Sequence, residues 1–293
     1  MNSDKMIKVN KRRAEQVEVY DSLADLTDTL ASRKANVAWD GRHMDSDESV
    51  GGSSWSWGIK NYADAVEAAN WGFSDATEKM REYVTNETMK LDAVGIGGRA
   101  KPQNYYAGGS PNVARAIMGV PRDMRRYHRA PVKERTVHIV YCADFASNVR
   151  SESALKAGAK VMAIVEALSR HNYSVKLSVG TYFRVGDGAS GGMEVTLKDY
   201  QSPLDMGKLS FPFAHSAWLR RIGFRWCETY PKFNKTSNYS SSYGPARHDL
   251  IDDMKLWHRE NGGRMITYYD IEDVDVAEWM RSEGFIDDEA KAA

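Results

Sequence analysis

Apolar residues are densest in the second half of the chain, and their spacing changes from one segment to the next. Residues 136–143 (TVHIVYCA) form a β-branched and almost continuously apolar run. Such a run is typical of a strand that is buried on both faces of a mainly parallel sheet. Ser151 then precedes residues 152–170, whose apolar positions recur every three or four residues. The pattern predicts a strand followed by a capped helix, the repeating unit of α/β proteins.

An alternation of apolar and polar positions follows this helix. Residues 173–185 carry apolar side chains at every second position from Val175 to Val179, which predicts a strand. The segment GDGASGG at 186–192 is interpreted as a turn, and residues 193–197 are expected to pair back on the preceding strand. The hairpin therefore places one antiparallel strand at the edge of an otherwise parallel sheet.

The remaining C-terminal segments complete a layered pattern. We predict strands at 208–213 and 265–269, and helices at 215–230, 249–261 and 273–283. Because connections between parallel strands of one sheet are right-handed, these helices are expected on both faces of the sheet. The predicted fold class is therefore α/β, a three-layer, Rossmann-like arrangement around a mainly parallel sheet.

The N-terminal part of the chain is predicted to be mostly helical. Apolar residues from Val19 to Leu30 are spaced by three and four, as on one face of a helix, whereas 40–54 has hardly any apolar residues and is interpreted as a loop. Predicted helices lie within residues 17–30, with Asp21 or Ser22 near the start, and over 61–70, 74–89 and 112–118. Since the period changes after a stretch rich in Gly and Pro, we place a domain boundary near Pro131. A mostly helical region, 1–131, then precedes an α/β domain, 132–293.

Composition limits the partners of the chain. Forty basic and forty acidic side chains give a formal net charge of zero, so any affinity for nucleic acid must come from a local surface. The two cysteines, Cys142 and Cys227, are too few for a disulfide framework. No apolar stretch is typical of a signal peptide or approaches the roughly 18 residues of a membrane span. We therefore expect a protein of a reducing cytoplasm without a membrane partner.

The first half of the α/β region resembles a von Willebrand A domain, because a buried strand ends in Asp144, a helix follows, and a hairpin occupies 173–197. In that family an Asp-x-Ser-x-Ser motif at this place holds a divalent metal through oxygen atoms, the ligands that hard cations require. The resemblance implies a metal site at Asp144 and Ser147, although Ala146 replaces the first Ser; alternatively, Asp144 caps the turn that follows. The matching stretch is Asp144-Phe145-Ala146-Ser147-Asn148.

Four further motifs lie before the first strand of the α/β region: Trp55-x-Trp57-Gly58, Asn70-Trp71-Gly72, Pro111-Asn112-Val113-Ala114-Arg115 and Gly119-x-Pro121-x-x-Met124. In these motifs and in its whole layout the chain resembles a family of uncharacterised tailed-bacteriophage proteins. The resemblance implies a phage origin and action in the host cytoplasm, and it assigns no chemistry to particular residues.

Motifs for catalysis are not evident in the sequence. The seven histidines never fall at a metal-binding or protease spacing. The glycine-rich stretch 95–99 lacks a preceding strand and a Gly-Lys-Ser/Thr ending, so a turn is favoured over a phosphate-binding loop. Acidic residues over 270–275 suit either a carboxylate pair or, more commonly, the first turn of a helix. The chain is therefore predicted to be non-enzymatic and without a cofactor, with a divalent metal as the alternative.

Basic and aromatic residues are interleaved in three segments. Residues 122–135 contain six Lys or Arg against two acids, and similar mixtures occur at 220–226 and 230–247. Positive charge contacts phosphates and exposed rings stack on unpaired bases, so this mixture predicts binding of single-stranded nucleic acid. The predicted binding residues are Arg122, Arg125, Arg126, Tyr127, Arg129, Lys133, Arg225, Lys232, Lys235, Tyr243 and Arg247.

Three functional hypotheses follow from these observations. The first is a bacteriophage accessory protein that binds single-stranded nucleic acid, a replication or transcription partner, or both. The second is a protein-interaction module that acts in virion assembly or against host defence. The third is a metal-dependent enzyme centred on Asp144 and Asp270.

Overall fold

The computed structural model describes residues 6–10, 15–34, 58–94, 96, 103–107, 110–126, 135–144, 149–184, 190–230 and 248–286. Within these residues the chain has an α/β fold built on a six-stranded sheet. The strands are β1 (Met6–Asn10), β2 (Glu15–Tyr20), β6 (Arg135–Cys142), β7 (Tyr173–Arg184), β8 (Ser190–Lys198) and β9 (Gly263–Thr267). Their order across the sheet is β1-β2-β8-β7-β6-β9.

Parallel pairing predominates in this sheet. The pairs β6/β7, β6/β9 and β2/β8 are parallel, whereas β7/β8 and β1/β2 are antiparallel. The predicted strand at 136–143 is confirmed, because Ile139 and Val140 are fully buried on β6 between two parallel neighbours. The predicted β7/β8 hairpin is also present. The α/β class with a mainly parallel sheet is therefore correct.

The antiparallel strand does not lie at the edge of the sheet, contrary to the prediction. β2 pairs with the free side of β8, and β1 pairs with β2. The helix predicted within 17–30 with its start near Asp21 or Ser22 is present as α1 (Leu23–Ser32), whose N-cap is Ser22, but the residues up to Tyr20 form a strand. The preceding residues alternate polar and apolar side chains along β2, and the exposed edge of β8 supplies their hydrogen-bond partners.

Helices cover both faces of the sheet. The N-terminal half contributes α2 (Tyr62–Trp71) and α3 (Ser74–Ala93); it also contains α4 (Val113–Ile117), which belongs to a small second sheet described below. Those of the C-terminal half are α5 (Ser151–Arg170), α6 (Met206–Ala214), a π-helical turn (Trp218–Gly223), α7 (Phe224–Thr229), α8 (His248–Glu260), α9 (Tyr268–Ile271) and α10 (Val276–Ser282). Within the described ranges, no helix combines the length and the apolar character needed to cross a bilayer.

The predicted strand at 208–213 is instead part of helix α6. The Asp205 side chain accepts hydrogen bonds from the backbone N–H groups of Gly207 and Lys208, which begins the helix. Residues 209–214 are all buried. A short apolar run that is buried on every side has no polar face, so its periodicity cannot distinguish a strand from a helix.

One face of the sheet is covered by α5, which has twelve buried residues and packs against α3 and α6. Gly158 allows this close packing, since a Cβ there would lie 2.9 Å from the Phe213 carbonyl oxygen. The same core includes Leu26 of α1 and Met80 of α3. Residues on both sides of the boundary predicted near Pro131 therefore share one hydrophobic core.

The other face of the sheet carries a smaller core. Helix α8 packs against β9 and β1 and buries Leu250 and Met254. These side chains contact Val140 and Tyr182 of the sheet as part of one cluster. Polar groups that lie under this helix are therefore shielded from water.

A second, small sheet lies outside these layers. It consists of β3 (Gln103–Tyr105), β4 (Ser110–Pro111) and β5 (Met124–Arg126) in the antiparallel order β3-β5-β4. The short helix α4 connects β4 to β5. A backbone hydrogen bond of 2.6 Å from the Asn112 N–H to the Asp123 carbonyl closes this connection.

Candidate functional sites

Asp144 follows β6 at the carboxyl edge of the sheet, the edge at which α/β proteins commonly bind ligands. Its side chain is buried, with 4% of the residue exposed. Oδ2 accepts hydrogen bonds from the Tyr182 backbone N–H at 3.0 Å and from the Cys142 thiol at 3.3 Å. Oδ1 has no hydrogen-bond partner within the described ranges. Asp144 therefore presents a buried oxygen that a ligand could engage.

Burial raises the pKa of Asp144 to about 7, and the hydrogen bonds from Tyr182 and Cys142 only partly oppose this increase. The carboxyl group is therefore protonated in a large fraction of molecules near neutral pH. A titratable group with a strongly shifted pKa at this edge of a sheet has the character of a functional residue.

Tyr182 connects this edge to a buried polar network. Its ring lies across Gly180 and Gly192, where an added Cβ would stand 2.5 Å from Tyr182 atoms. Only glycine at these two positions lets the ring lie flat on the sheet. The Tyr182 hydroxyl donates a hydrogen bond of 2.7 Å to Oε1 of the buried Glu194.

Glu194 also binds a histidine of the covering helix. Its Oε1 lies 2.7 Å from His258 Nε2 on α8. Burial by itself would raise the pKa of Glu194, but attraction to His258 and the hydrogen bonds from its partners hold that pKa below its usual value. The His138 ring lies 5.5 Å from the His258 ring, and its Nε2 is 2.8 Å from Ser178 Oγ. Burial lowers the pKa of His138 to about 4, which keeps this imidazole neutral at pH 7.

The network does not form a nucleophilic site. Burial, reinforced by the Asp144 carboxylate, raises the pKa of Cys142 well above its usual value, so the thiol stays protonated. Ser178 lies in the middle of β7 and is buried, which leaves a substrate no access to its hydroxyl. The described residues of the network therefore connect α8 to the sheet and do not resemble a catalytic triad.

Of the two residues of the predicted metal site, the structure describes only Asp144. Ser147 and Ala146 lie outside the described residues. Asp270, the other carboxylate considered for catalysis, accepts hydrogen bonds from Thr267 in a capping box and pairs with Lys255 at 2.7 Å. Over the described ranges, no group of three or more His, Cys, Asp or Glu residues is placed to hold a metal ion. One unpartnered oxygen on Asp144 does not by itself complete a site for a divalent cation.

The first basic segment reaches the small sheet. Arg122 precedes β5, is exposed, and holds its guanidinium 5.3 Å from the centre of the Tyr106 ring. That ring belongs to a residue that is 71% exposed. Arg125 and Arg126 belong to β5, the central strand, which pairs with β3. Three other predicted binding residues lie outside the described part of the chain: Tyr127, Arg129 and Lys133.

The second basic segment is largely buried. Arg220 and Arg221 lie in the π-helical turn and are buried. Trp226 lies on α7 and is also buried. These side chains are therefore not available to contact a nucleic acid. Arg225 is partly exposed, and its guanidinium lies 5.1 Å from the centre of the Tyr62 ring. The remaining predicted residues lie outside the described ranges: Lys232, Lys235, Tyr243 and Arg247.

Sequence reasoning did not identify Tyr106 or the Glu194–His258 pair. Tyr106 follows a second tyrosine and precedes Ala107 and two glycines, a composition that indicates a turn tip and could have marked an exposed ring. The Glu194–His258 contact joins residues 64 positions apart. No local pattern of spacing could have indicated this pair.

One family comparison extends over nearly the whole chain. No curated protein and no solved structure matches the sequence. A family model described as a domain of unknown function, DUF7192, matches residues 5–282. This range includes both the N-terminal strands and the larger α/β layers. The chain therefore belongs to the DUF7192 family.

Proposed function

We propose that this protein is a non-enzymatic binding protein that takes single-stranded nucleic acid on the small sheet β3-β5-β4, alone or together with a replication or transcription protein. The observation that carries the proposal is the exposed Tyr106 ring beside the Arg122 guanidinium. An exposed ring stacks on an unpaired base, and a neighbouring guanidinium contacts the phosphate of the same strand.

Local charge supports this proposal. The segment 103–126 contains four arginines and one aspartate, a formal charge of +3 in a chain whose net charge is zero. Nucleic acid would therefore be attracted to this segment rather than to the molecule as a whole. The arginines are Arg115, Arg122, Arg125 and Arg126.

The large sheet supports a more specific proposal about origin. The succession β6, α5, β7 and antiparallel β8, with Asp144 after β6, favours a von Willebrand A-like scaffold. Together with the motifs around Trp71 and Pro121, it favours a bacteriophage accessory protein that acts in the host cytoplasm. Binding by the small sheet does not depend on this origin.

Fluorescence anisotropy with labelled single-stranded DNA and RNA tests the proposal. We expect binding at about 50 mM salt that weakens steeply as salt rises, since phosphate contacts release counterions. Tyr106→Ala should weaken binding by about tenfold, the scale of one lost stacking contact. Arg122→Ala should also reduce the slope of log affinity against log salt by about 0.7, the value for one phosphate contact on a single strand.

Arg81→Ala is the matched control, because Arg81 is an exposed arginine on α3. It should leave both affinity and salt slope unchanged. Absence of binding at about 50 mM salt, or an affinity that does not respond to salt, would contradict the proposal. Equal loss in the Arg81 and Arg122 variants would show only general electrostatic attraction.

A further inference from the structure

Helix α4 has an apolar face that the described chain leaves uncovered. None of its residues is buried. Val113 and Ile117 are 62% and 81% exposed, and the following Met118 is 67% exposed. Residues four positions apart lie on the same side of a helix, so Val113 and Ile117 form one continuous surface.

Exposed apolar residues are concentrated in this part of the structure. Ten large hydrophobic residues are exposed in the described ranges, and four of them lie within 103–126. Single exposed apolar residues are ordinary, whereas a group of them marks an interaction surface. The α4 residues are aliphatic and cannot stack on bases as Tyr106 can. Their chemistry therefore fits a protein partner better than a nucleic acid.

The backbone of α4 is held firmly enough to present this face. The Val120 N–H donates to the Arg115 carbonyl at 3.0 Å, and the Asn112 side chain donates to Asn104 Oδ1 on β3 at 3.2 Å. The Arg115 guanidinium contacts the Pro121 carbonyl at 3.4 Å. These contacts use backbone and polar groups, so substitutions at Val113 or Ile117 should leave the fold intact.

The charge of the segment around α4 indicates which kind of protein partner this face can bind. Arg115 is two residues from both Val113 and Ile117, so it lies on the other side of α4. The segment 103–126 that contains α4 has a formal charge of +3. A second copy of the chain would bring like charges together, which disfavours self-association through this face. A partner that combines apolar side chains with Asp or Glu would satisfy both the apolar surface and the arginines.

We propose that the α4 face, formed by Val113, Ile117 and Met118, docks an acidic amphipathic segment of a partner protein. The partner's apolar side chains pack on Val113 and Ile117, and its flanking carboxylates are attracted by the net positive charge of the segment 103–126, as in recognition of an amphipathic helix. This inference goes beyond nucleic-acid binding, because its contacts are the apolar side chains of α4 and not the Tyr106 ring. The two ligands would meet on the same small module.

Three labelled helical peptides of equal length test this inference. The first carries leucines on one face and glutamates elsewhere, the second replaces the glutamates by lysines, and the third distributes the leucines evenly among the glutamates. Anisotropy titrations should show binding of the first peptide only. Ile117→Glu should weaken that binding by about tenfold or more, and Ile117→Ser should weaken it several-fold through loss of apolar contact alone.

Leu256→Glu is the matched control, because Leu256 is an aliphatic residue on α8 that is 57% exposed. It should bind the first peptide like the unmodified protein. Tyr106→Ala should also retain peptide binding, so a failure of nucleic-acid binding and a failure of this inference are distinguishable. Circular dichroism should confirm that each variant is folded.

Several results would overturn the inference. Equal binding of the acidic and basic peptides would remove the charge argument, and no binding by any peptide would remove the docking face. A dimer in sedimentation that Ile117→Glu abolishes would assign the face to a second copy. If no peptide binds the unmodified protein and Ile117→Glu loses nucleic-acid binding, the α4 face belongs to the nucleic-acid site.

Discussion

At the scale of single residues, Asp144 is a carboxyl group in the interior whose Oδ1 has no partner among the described residues. Burial raises its pKa from 3.8 to about 7. Because the folded state holds this proton more tightly, the contribution to stability is fully present below about pH 4 and is lost as pH rises to about 7. The charged form costs on the order of 4 kcal/mol.

Asp144→Asn tests this interpretation. The amide keeps an oxygen that can accept from the Tyr182 N–H but carries no charge, so the variant should melt about 5 °C or more above the unmodified protein at pH 8. At pH 4 the difference in Tm should be small, since Asp144 is then protonated in the folded protein. Calorimetry at both pH values measures the two differences. Asp252→Asn, at an exposed residue on α8, is the control and should shift Tm little at either pH. An equal effect of Asp144→Asn on Tm at both pH values would rule out the electrostatic cause.

At the scale of elements, α8 is attached to the sheet by groups that respond to acid. The Glu194 pKa is lowered despite burial, because His258 attracts its carboxylate, so this stabilisation is lost as pH falls through the lowered pKa. The His138 pKa is lowered to about 4 by burial, so stability is also lost as pH falls from about 6.5 towards 4. The neighbouring Lys176 and His258 oppose protonation of His138, whereas Glu194 favours it. Both titrations therefore weaken the packing of α8 in acid.

Hydrogen exchange should show this weakening directly. Between pH 7.5 and pH 5, after correction for intrinsic exchange rates, amides of α8 should lose protection more than amides of α5. His138→Gln can keep a hydrogen bond to Ser178 without a titratable ring, so it should retain more protection of α8 at pH 5. His171→Gln, at the end of α5, serves as the control. Uniform loss of protection in both helices would instead indicate global destabilisation.

At the scale of the whole molecule, the N-terminal segments belong to the same packing unit as the C-terminal sheet. β2 covers the edge of β8, and the Trp226 indole N–H on α7 donates to Glu18 on β2 at 2.8 Å. Glu18 also pairs with Arg33 after α1. α3 packs against α5 and α6 from the outer side. Removal of residues 1–131 would therefore expose a strand edge and a large apolar surface together.

The fragment 132–293 should consequently not fold as a stable unit. Its near-ultraviolet circular dichroism should lack native tertiary signals, whereas the full chain should unfold in one transition that is the same for far- and near-ultraviolet probes. A fragment that melts cooperatively near the Tm of the full chain would show that the α/β region is an independent domain. The position of the boundary near Pro131 would then be confirmed.

The sequence alone was sufficient to predict those elements in which the local hydrophobic pattern agrees with the burial in the fold. The run ending at Cys142 is a strand, as its short length and its β-branched residues predicted. The spacing of apolar residues predicted α5, and the turn composition predicted the β7/β8 hairpin. Asp144 marked the end of β6. These features depend on residues that are close in sequence, so the predictions at this level were correct.

Tertiary structure decided everything that depends on distant partners. Residues 15–20 form a strand because the edge of β8 is available for pairing. Residues 208–213 belong to a helix that the Asp205 cap begins, although their apolar run alone suits a strand equally well. Arg220 and Trp226 look like binding residues in sequence, yet packing places them in the core. Glu194 on β8 contacts His258 only because α8 packs on the sheet. Spacing along a chain determines which face a residue shares with its neighbours, whereas burial and pairing across the fold determine what that face contacts.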